Sequence, residues 1–130
     1  ELDKVVLPYH LDAVKQIAGR LALRFSDDMN RRVNDIVAER SRLVGVMSQL
    51  PLDVFPSGAN FVLFRVRPGH LTGRQVWQGL VDRSVLIRDC SSWPRLDNCL
   101  RVTIGTPEEN TEFLMALADV LMPTTTGVTP

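Results

Sequence analysis

An arginine interrupts a segment that otherwise reads as a buried β-strand, in the stretch LRVTIGTPEEN at residues 100–110. Side chains alternate between the two faces of a strand, so Arg101 is predicted to lie on the face opposite the aliphatic residues. The aliphatic face would carry Leu100, Val102 and Ile104. A guanidinium presents a planar fork of N–H donors that grips carboxylate or phosphate bidentately. Arg101 is therefore a candidate anion-binding residue.

A second arginine, Arg88, directly follows the apolar run at 85–87, which predicts a short buried strand. If this strand is a neighbour of the strand containing Arg101, the two guanidiniums converge near one edge of a sheet. The residues alone leave two interpretations open. The arginines bind an external anion, or they form structural salt bridges with nearby acidic side chains. The plausible structural partners are Asp89, Asp97 and Glu108.

Other chemistry has little support in the sequence. His10 and His70 are far apart, and no glycine-rich phosphate loop is present. Cys90 and Cys99 lack zinc-site spacing and are predicted to be reduced thiols. Phe61 and Phe64 would lie on opposite faces of one strand, which argues against a sheet surface that stacks nucleic-acid bases.

Hydrophobic periodicity places these residues in a small α+β domain. Apolar spacing predicts a first helix over residues 8–25, with Pro8 in its first turn, and a second helix that Ser26 caps. Strands, turns and two further helices follow in the order ββαββα. Thr72 would cap the third helix, and Thr106, Pro107 and Glu109 match a capping box for the fourth. We therefore expect two N-terminal helices followed by a small sheet with helices packed on one face.

The composition excludes several classes of partner. The chain has 130 residues, with 15 basic and 15 acidic side chains, which gives no sign of nucleic-acid binding. No apolar run is long enough for a membrane span. A cytoplasmic location is expected, because reduced cysteines are typical of that compartment. Only Lys4 and Lys15 are lysines among the basic residues.

Three stretches resemble histidinol-phosphate aminotransferase, a fold-type I enzyme that depends on pyridoxal 5'-phosphate. They are PYHL at 8–11, PSGANFVLFRV at 56–66 and VLIRDCSSWPRLDNCLRVTIGTPEEN at 85–110. The resemblance implies that residues 1–25 form an interdomain helix region leaving a large domain. It further implies that residues 26–122 form the C-terminal small domain, and the tail 123–130 is expected to be mobile.

The same resemblance implies roles for the two arginines. The arginine of the RVTIG-like strand, here Arg101, typically binds the acidic end of the substrate in this family. The arginine of the IRD-like motif, here Arg88, typically helps to hold the phosphate or carboxylate. The implied reaction transfers an amino group between L-glutamate and imidazole-acetol phosphate in histidine biosynthesis, and the implied partners are the large domain and a second subunit of a homodimer.

The chain departs from the family pattern in its lysines. A pyridoxal enzyme needs a lysine that bonds to the cofactor, yet Lys4 and Lys15 lie in no Ser-Lys context. The family's cofactor-binding motifs would lie upstream of Glu1, in a longer protein. We therefore expect no catalytic residue on this chain, no bound pyridoxal 5'-phosphate and no turnover by the chain alone.

Three alternatives remain open from the sequence. An aromatic aminotransferase or a threonine-phosphate decarboxylase would share the arginine strand. A non-enzymatic amino-acid-binding regulatory module would require no lysine. Lastly, an uncovered apolar stripe on the first helix would make the isolated chain self-associate.

Overall fold

A computed structural model describes residues 12–69 and 71–122 of the chain. The sequence predictions for Lys4, His10, His70 and the tail 123–130 fall outside the described residues. The predicted start of the first helix near Pro8 is wrong, because that helix begins at Ala13 and Asp12 is its N-cap, with extended dihedral angles. The chain divides into two compact units, one ending at Asn34 and the other beginning at Asp35. None of the helices in the described ranges combines the length and apolar character needed to cross a bilayer.

Four α-helices and four strands make up the regular structure of the described residues. The helices are α1 (Ala13–Ala22), α2 (Ser26–Met47), α3 (Gly73–Val81) and α4 (Pro107–Leu121). The strands are β1 (Leu52–Val54), β2 (Phe61–Val66), β3 (Arg88–Asp89) and β4 (Cys99–Thr103). The predicted α+β class and the order of helices and strands are confirmed.

Ser26 does not cap the second helix, contrary to the sequence prediction. A 3₁₀ turn, Leu23–Phe25, joins α1 to α2, and Ser26 has helical dihedral angles of φ −58° and ψ −34°. A capping residue would need extended dihedrals. Because neither glycine nor proline interrupts residues 20–30, the chain remains helical through this position.

The four strands form one antiparallel sheet in the order β1-β2-β4-β3. In the centre, Leu63 of β2 lies opposite Arg101 of β4. On the edge, Arg88 of β3 lies opposite the same Arg101. This register puts the three side chains in one row across the sheet.

The core lies between one face of this sheet and the helices. Alternate residues of β2 are buried, and Leu100 and Val102 are buried on β4, which confirms the predicted aliphatic face of β4 although Cys99 on its other face is buried as well. On this face, the buried residues of the two central strands are Val62, Phe64, Val66, Leu100 and Val102. They pack with Leu43 and Met47 of α2, Val76 and Leu80 of α3, and Phe113 and Leu117 of α4. The opposite face of the sheet, which carries Arg101, is called the outer face below.

Both helix caps expected from the sequence are present, and each of them is a capping box. The Thr72 side chain accepts from the backbone N–H of Gln75, and the Gln75 side chain accepts from the N–H of Thr72. Thr106 and Glu109 make the same reciprocal pair at the start of α4, with Pro107 in its first turn. These caps satisfy backbone donors that a helix start would otherwise leave unpaired.

The prediction of a strand at 85–87 is wrong, because the strand begins at the next residue and spans Arg88–Asp89. Two contacts explain the difference. The Val85 N–H donates to the Leu80 carbonyl at the end of α3, and the Trp77 indole N–H donates to the Ile87 carbonyl at 3.0 Å. These bonds tie the apolar run to α3 instead of to a strand.

Candidate anion-binding site

The structure brings the two predicted site residues together as a cross-strand pair. Arg88 and Arg101 are direct partners in the β3–β4 ladder, and directly opposed residues of an antiparallel pair project from the same face. Arg88 therefore lies within a strand, although the sequence placed it just after one. Its side chain is exposed, whereas Arg101 is partly buried.

Both arginines line one open cavity of about 270 Å³ at the edge of the sheet. The other lining residues are Leu86, Ile87, Val102 and Thr103. None of these six residues carries a negative charge, so the cavity presents two cations against an apolar and hydroxyl-bearing wall. Such a surface suits an anionic group of small size.

Neither arginine is neutralised by a carboxylate of the described residues. The three acidic side chains that the sequence offered as partners make no ion pair with either of them. Asp89 instead pairs with Arg74 at 3.4 Å and accepts from the Ser91 N–H at 2.9 Å. Burial opposes ionisation of Asp89, but these hydrogen bonds outweigh it, so its pKa lies below its ordinary value.

Other arginines on this side of the molecule have acceptors of their own. Arg65, also on the outer face, donates to the backbone carbonyls of Arg95 and Asp97 at 2.9 and 3.1 Å. Arg67 pairs with Asp53 at 2.8 Å. By contrast, Nε of Arg101 is buried and has no hydrogen-bond partner among the described residues. Buried donors are almost always paired, so this exception points to a missing acceptor.

Phe61 supports the unpaired guanidinium, a contact that the sequence did not reveal. Cζ of Arg101 lies 5.0 Å from the centroid of the Phe61 ring, within the range of a cation–π contact. Phe61 lies opposite Thr103 in the ladder, so it is the diagonal neighbour of Arg101. Alternation along a single strand predicts which face Phe61 and Arg101 lie on, but only the pairing register of β2 and β4 shows that they are neighbours.

The two cysteines lie beside the arginine pair but are poor nucleophiles. Cys90 and Cys99 are both buried and unbridged, and the Cys90 N–H donates to the Cys99 carbonyl at 3.0 Å. Burial raises the pKa of the Cys90 thiol, although the positive charges of Arg101 and Arg88 oppose that rise. A protonated, inaccessible thiol supports a packing role.

A larger cavity of about 610 Å³ lies between α2 and the start of α4, but its charge has the wrong sign for an anion. Its lining includes the carboxylates of Asp35, Glu39 and Glu109. A hydrogen bond from Arg42, and a second from Asn110, hold the pKa of Glu39 below its ordinary value and keep it ionised. The smaller arginine cavity is therefore the better anion site.

The arginine cavity lacks the amine that would bond to pyridoxal 5'-phosphate. Among the described residues, Lys15 is the only lysine, and on α1 it forms an exposed ion pair with Asp12 at 2.9 Å. No described lysine lines the arginine cavity, so no amine is present there to bond to the cofactor's aldehyde. The described residues also contain no cluster of side chains suited to a metal ion.

Comparison with known proteins identifies the family. The family model described as aminotransferase class I and II matches residues 1–117. The histidinol-phosphate aminotransferase of Aquifex aeolicus is 38% identical over 122 residues, which cover 92% of this chain and 33% of that protein. The corresponding protein of Mycobacterium leprae is 42% identical over 127 residues, or 94% of this chain and 32% of its own length.

The fold agrees with a solved member of the family. The crystal structure of the histidinol-phosphate aminotransferase from Clostridium acetobutylicum superposes with a TM-score of 0.78 at 26% identity. The match covers 88% of this chain and 35% of that one. The chain thus spans about a third of the length of the proteins it matches. Sequence, family model and fold agree, and the chain belongs to the class I and II aminotransferases.

Proposed function

We propose that this chain is the substrate-anion-binding part of a histidinol-phosphate aminotransferase. The parent enzyme would exchange an amino group between L-glutamate and imidazole-acetol phosphate. The observation that carries the proposal is the pairing of Arg88 with Arg101 in one cavity, without a carboxylate partner among the described residues. The relatives named above support the choice of reaction.

The chemistry of the two substrates explains why two arginines are needed. One substrate ends in a carboxylate, and the other carries a phosphate with close to two negative charges at neutral pH. A site that accepts both in turn must stabilise groups of different charge and shape. Arg101 would form the bidentate contact with either anion, and the exposed Arg88 would add its charge when the phosphate is bound.

Pyridoxal 5'-phosphate and its lysine would come from the large domain of the same enzyme in this proposal. That cofactor supplies the electron sink for amino transfer when it is bound. The present chain would orient the substrate through its anionic end and would not turn over alone. Fixing one end of a substrate in this way lowers the entropic barrier to the reaction at its other end.

The apolar side chains of α1 supply a surface for those partners. Ile17, Leu21 and Phe25 lie in or just after α1 and are 59%, 45% and 66% exposed. In the proposal they contact the large domain of the parent enzyme, and in the isolated chain they promote self-association. Light scattering tests this point, because a monodisperse monomer at high concentration would contradict it.

Calorimetric titration of the chain with histidinol phosphate tests the arginine assignment. Hydrogen bonds to charged groups contribute about 1.5–3 kcal/mol, so Arg101→Gln should weaken binding by roughly 10- to 150-fold. Arg88→Gln should weaken phosphate binding more than binding of a carboxylate such as glutamate. Arg83→Gln is the matched control, because Arg83 makes a local bond to the Gly79 carbonyl away from the cavity.

The outcomes separate the competing assignments. Unchanged affinity in both cavity variants would overturn the proposed site, as would an equal loss in the Arg83 control. Parallel titrations with phenylalanine and with phosphothreonine test the reaction class. If either ligand binds more tightly than histidinol phosphate, the aromatic aminotransferase or the threonine-phosphate decarboxylase is the better assignment.

A further inference from the structure

We infer that Phe61 is a positioning residue that holds the Arg101 guanidinium ready for the substrate anion. This inference rests on the proposed function of Arg101. Its evidence is the ring-to-guanidinium distance of 5.0 Å, the strand register and the absence of any described carboxylate at Arg101. The ring would set the orientation of the fork without occupying its donors.

An arginine that binds a ligand must be restrained without losing its free hydrogen-bond donors. A flexible cation loses affinity for its ligand because its side-chain entropy falls on binding. A carboxylate partner would restrain the side chain, but it would also occupy the donors and compete with the substrate. An aromatic face attracts the cation through its quadrupole and makes no hydrogen bond with it. Phe61 therefore restrains Arg101 while its Nη donors stay available.

The strand geometry shows how the restraint is built. Leu63 lies directly opposite Arg101 on one side, and Arg88 lies opposite it on the other. Arg88 repels the Arg101 guanidinium, and the Leu63 side chain is apolar. On β2, the diagonal Phe61 ring is therefore the neighbour that attracts it. Phe61 is only partly buried, so its ring also borders the solvent-accessible side of the sheet.

A second aromatic–arginine contact on the same molecule supplies a matched control. Cζ of Arg65 lies 5.6 Å from the Phe55 ring centroid. Arg65, however, is already held by two backbone carbonyls, so its orientation does not depend on the ring. Phe55→Leu removes a comparable contact from an arginine that the proposed function does not use.

The test measures the affinity of the chain for histidinol phosphate in Phe61→Leu, Phe61→Trp and Phe55→Leu variants. Phe61→Leu should weaken binding by about two- to fivefold, from the usual strength of a partly exposed cation–π contact. Phe61→Trp should restore it, and Phe55→Leu should leave it unchanged. In an Arg101→Met background, Phe61→Leu should have no further effect on affinity.

A spectroscopic signal separates positioning from simple loss of folding. The Arg101 Nε–H resonance, identified by its disappearance in Arg101→Met, should carry a ring-current shift that Phe61→Leu removes and Phe61→Trp retains. Unchanged affinity and resonance in Phe61→Leu would overturn the positioning role while leaving the arginine site intact. If Arg101→Met also binds normally, the proposed function itself fails, and the two failures are thus distinct.

Discussion

Replacing Arg101 with methionine should stabilise the fold in the absence of ligand and weaken anion binding. In the wild-type chain, Nε of Arg101 is buried without a partner, and Arg88 lies directly opposite. An unsatisfied buried donor destabilises by about 1–3 kcal/mol. Like charges directly opposed across two strands add roughly 0.2–1 kcal/mol. Methionine keeps an unbranched stem and removes both penalties.

One favourable interaction is lost in that exchange. The contact between Arg101 and Phe61 contributes about 0.5–1 kcal/mol. A methionine sulfur near the same ring recovers about 0.3–1.5 kcal/mol. The balance over these ranges is an increase in the free energy of unfolding of about 0.5–5 kcal/mol, and each 1 kcal/mol raises the Tm by roughly 4 °C or more in a domain of about this size.

Urea unfolding followed by tryptophan fluorescence measures this change, with and without histidinol phosphate. At a ligand concentration of about 100 times the wild-type Kd, the wild-type chain should gain about 2.7 kcal/mol and the Arg101→Met chain much less, so the stability advantage of the variant should shrink or reverse. Arg65→Met is the control, because Arg65 donates two hydrogen bonds to backbone carbonyls and its loss should destabilise. If Arg101→Met destabilises the free chain as much as Arg65→Met does, Arg101 is structural and the reasoning is refuted.

Three further changes test the surroundings of the site. Asn110→Ala should lower the free energy of unfolding by about 2 kcal/mol, because the buried amide accepts from the Gly105 N–H and donates to the Gly105 carbonyl and to Glu39. A loss below about 0.5 kcal/mol in urea unfolding would contradict this. The pKa of Glu39 is lowered in the folded chain, so its ionised form stabilises the fold above the unfolded pKa of about 4.3, and this contribution is lost as the pH falls through the folded pKa. The difference in free energy of unfolding between wild type and Glu39→Gln should therefore become smaller as the pH is lowered from 7. A difference that grows on acidification would contradict this. Gly73→Ala would place Cβ 2.8 Å from a backbone atom and should destabilise the fold by about 1–3 kcal/mol. In Gly45→Ala the added Cβ enters open space on α2, so this variant should stabilise the fold by up to about 1 kcal/mol. Equal Tm shifts of the two variants in calorimetry would contradict these predictions.

The sequence predicted well wherever the cause of a structure is local. The predicted helix caps at Thr72 and Thr106 depend on residues three positions apart, and both are present. The face of Arg101 follows from alternation along a single strand, and the burial pattern of β4 agrees with it for Leu100 and Val102. Such features need no knowledge of distant parts of the chain.

Predictions failed where a distant partner or continuous helical geometry outweighed a local signal. The apolar run at 85–87 has strand-forming residues, but the Trp77 indole binds the Ile87 carbonyl and the pairing begins at Arg88. Ser26 is a good capping residue in isolation, yet the helix continues through it. Each local signal was real, and a neighbouring contact or conformation overrode it.

The sequence by itself determined the α+β class, the order of helices and strands, and the presence of an arginine on the outer face of β4. Only the tertiary structure decided that Arg88 stands directly opposite Arg101, that no described carboxylate neutralises the pair, and that the Phe61 ring borders it. The physical reason is the distance along the chain between the residues that interact. Caps and alternation are set by residues a few positions apart, whereas cross-strand and diagonal neighbours are set by the register in which distant segments pair.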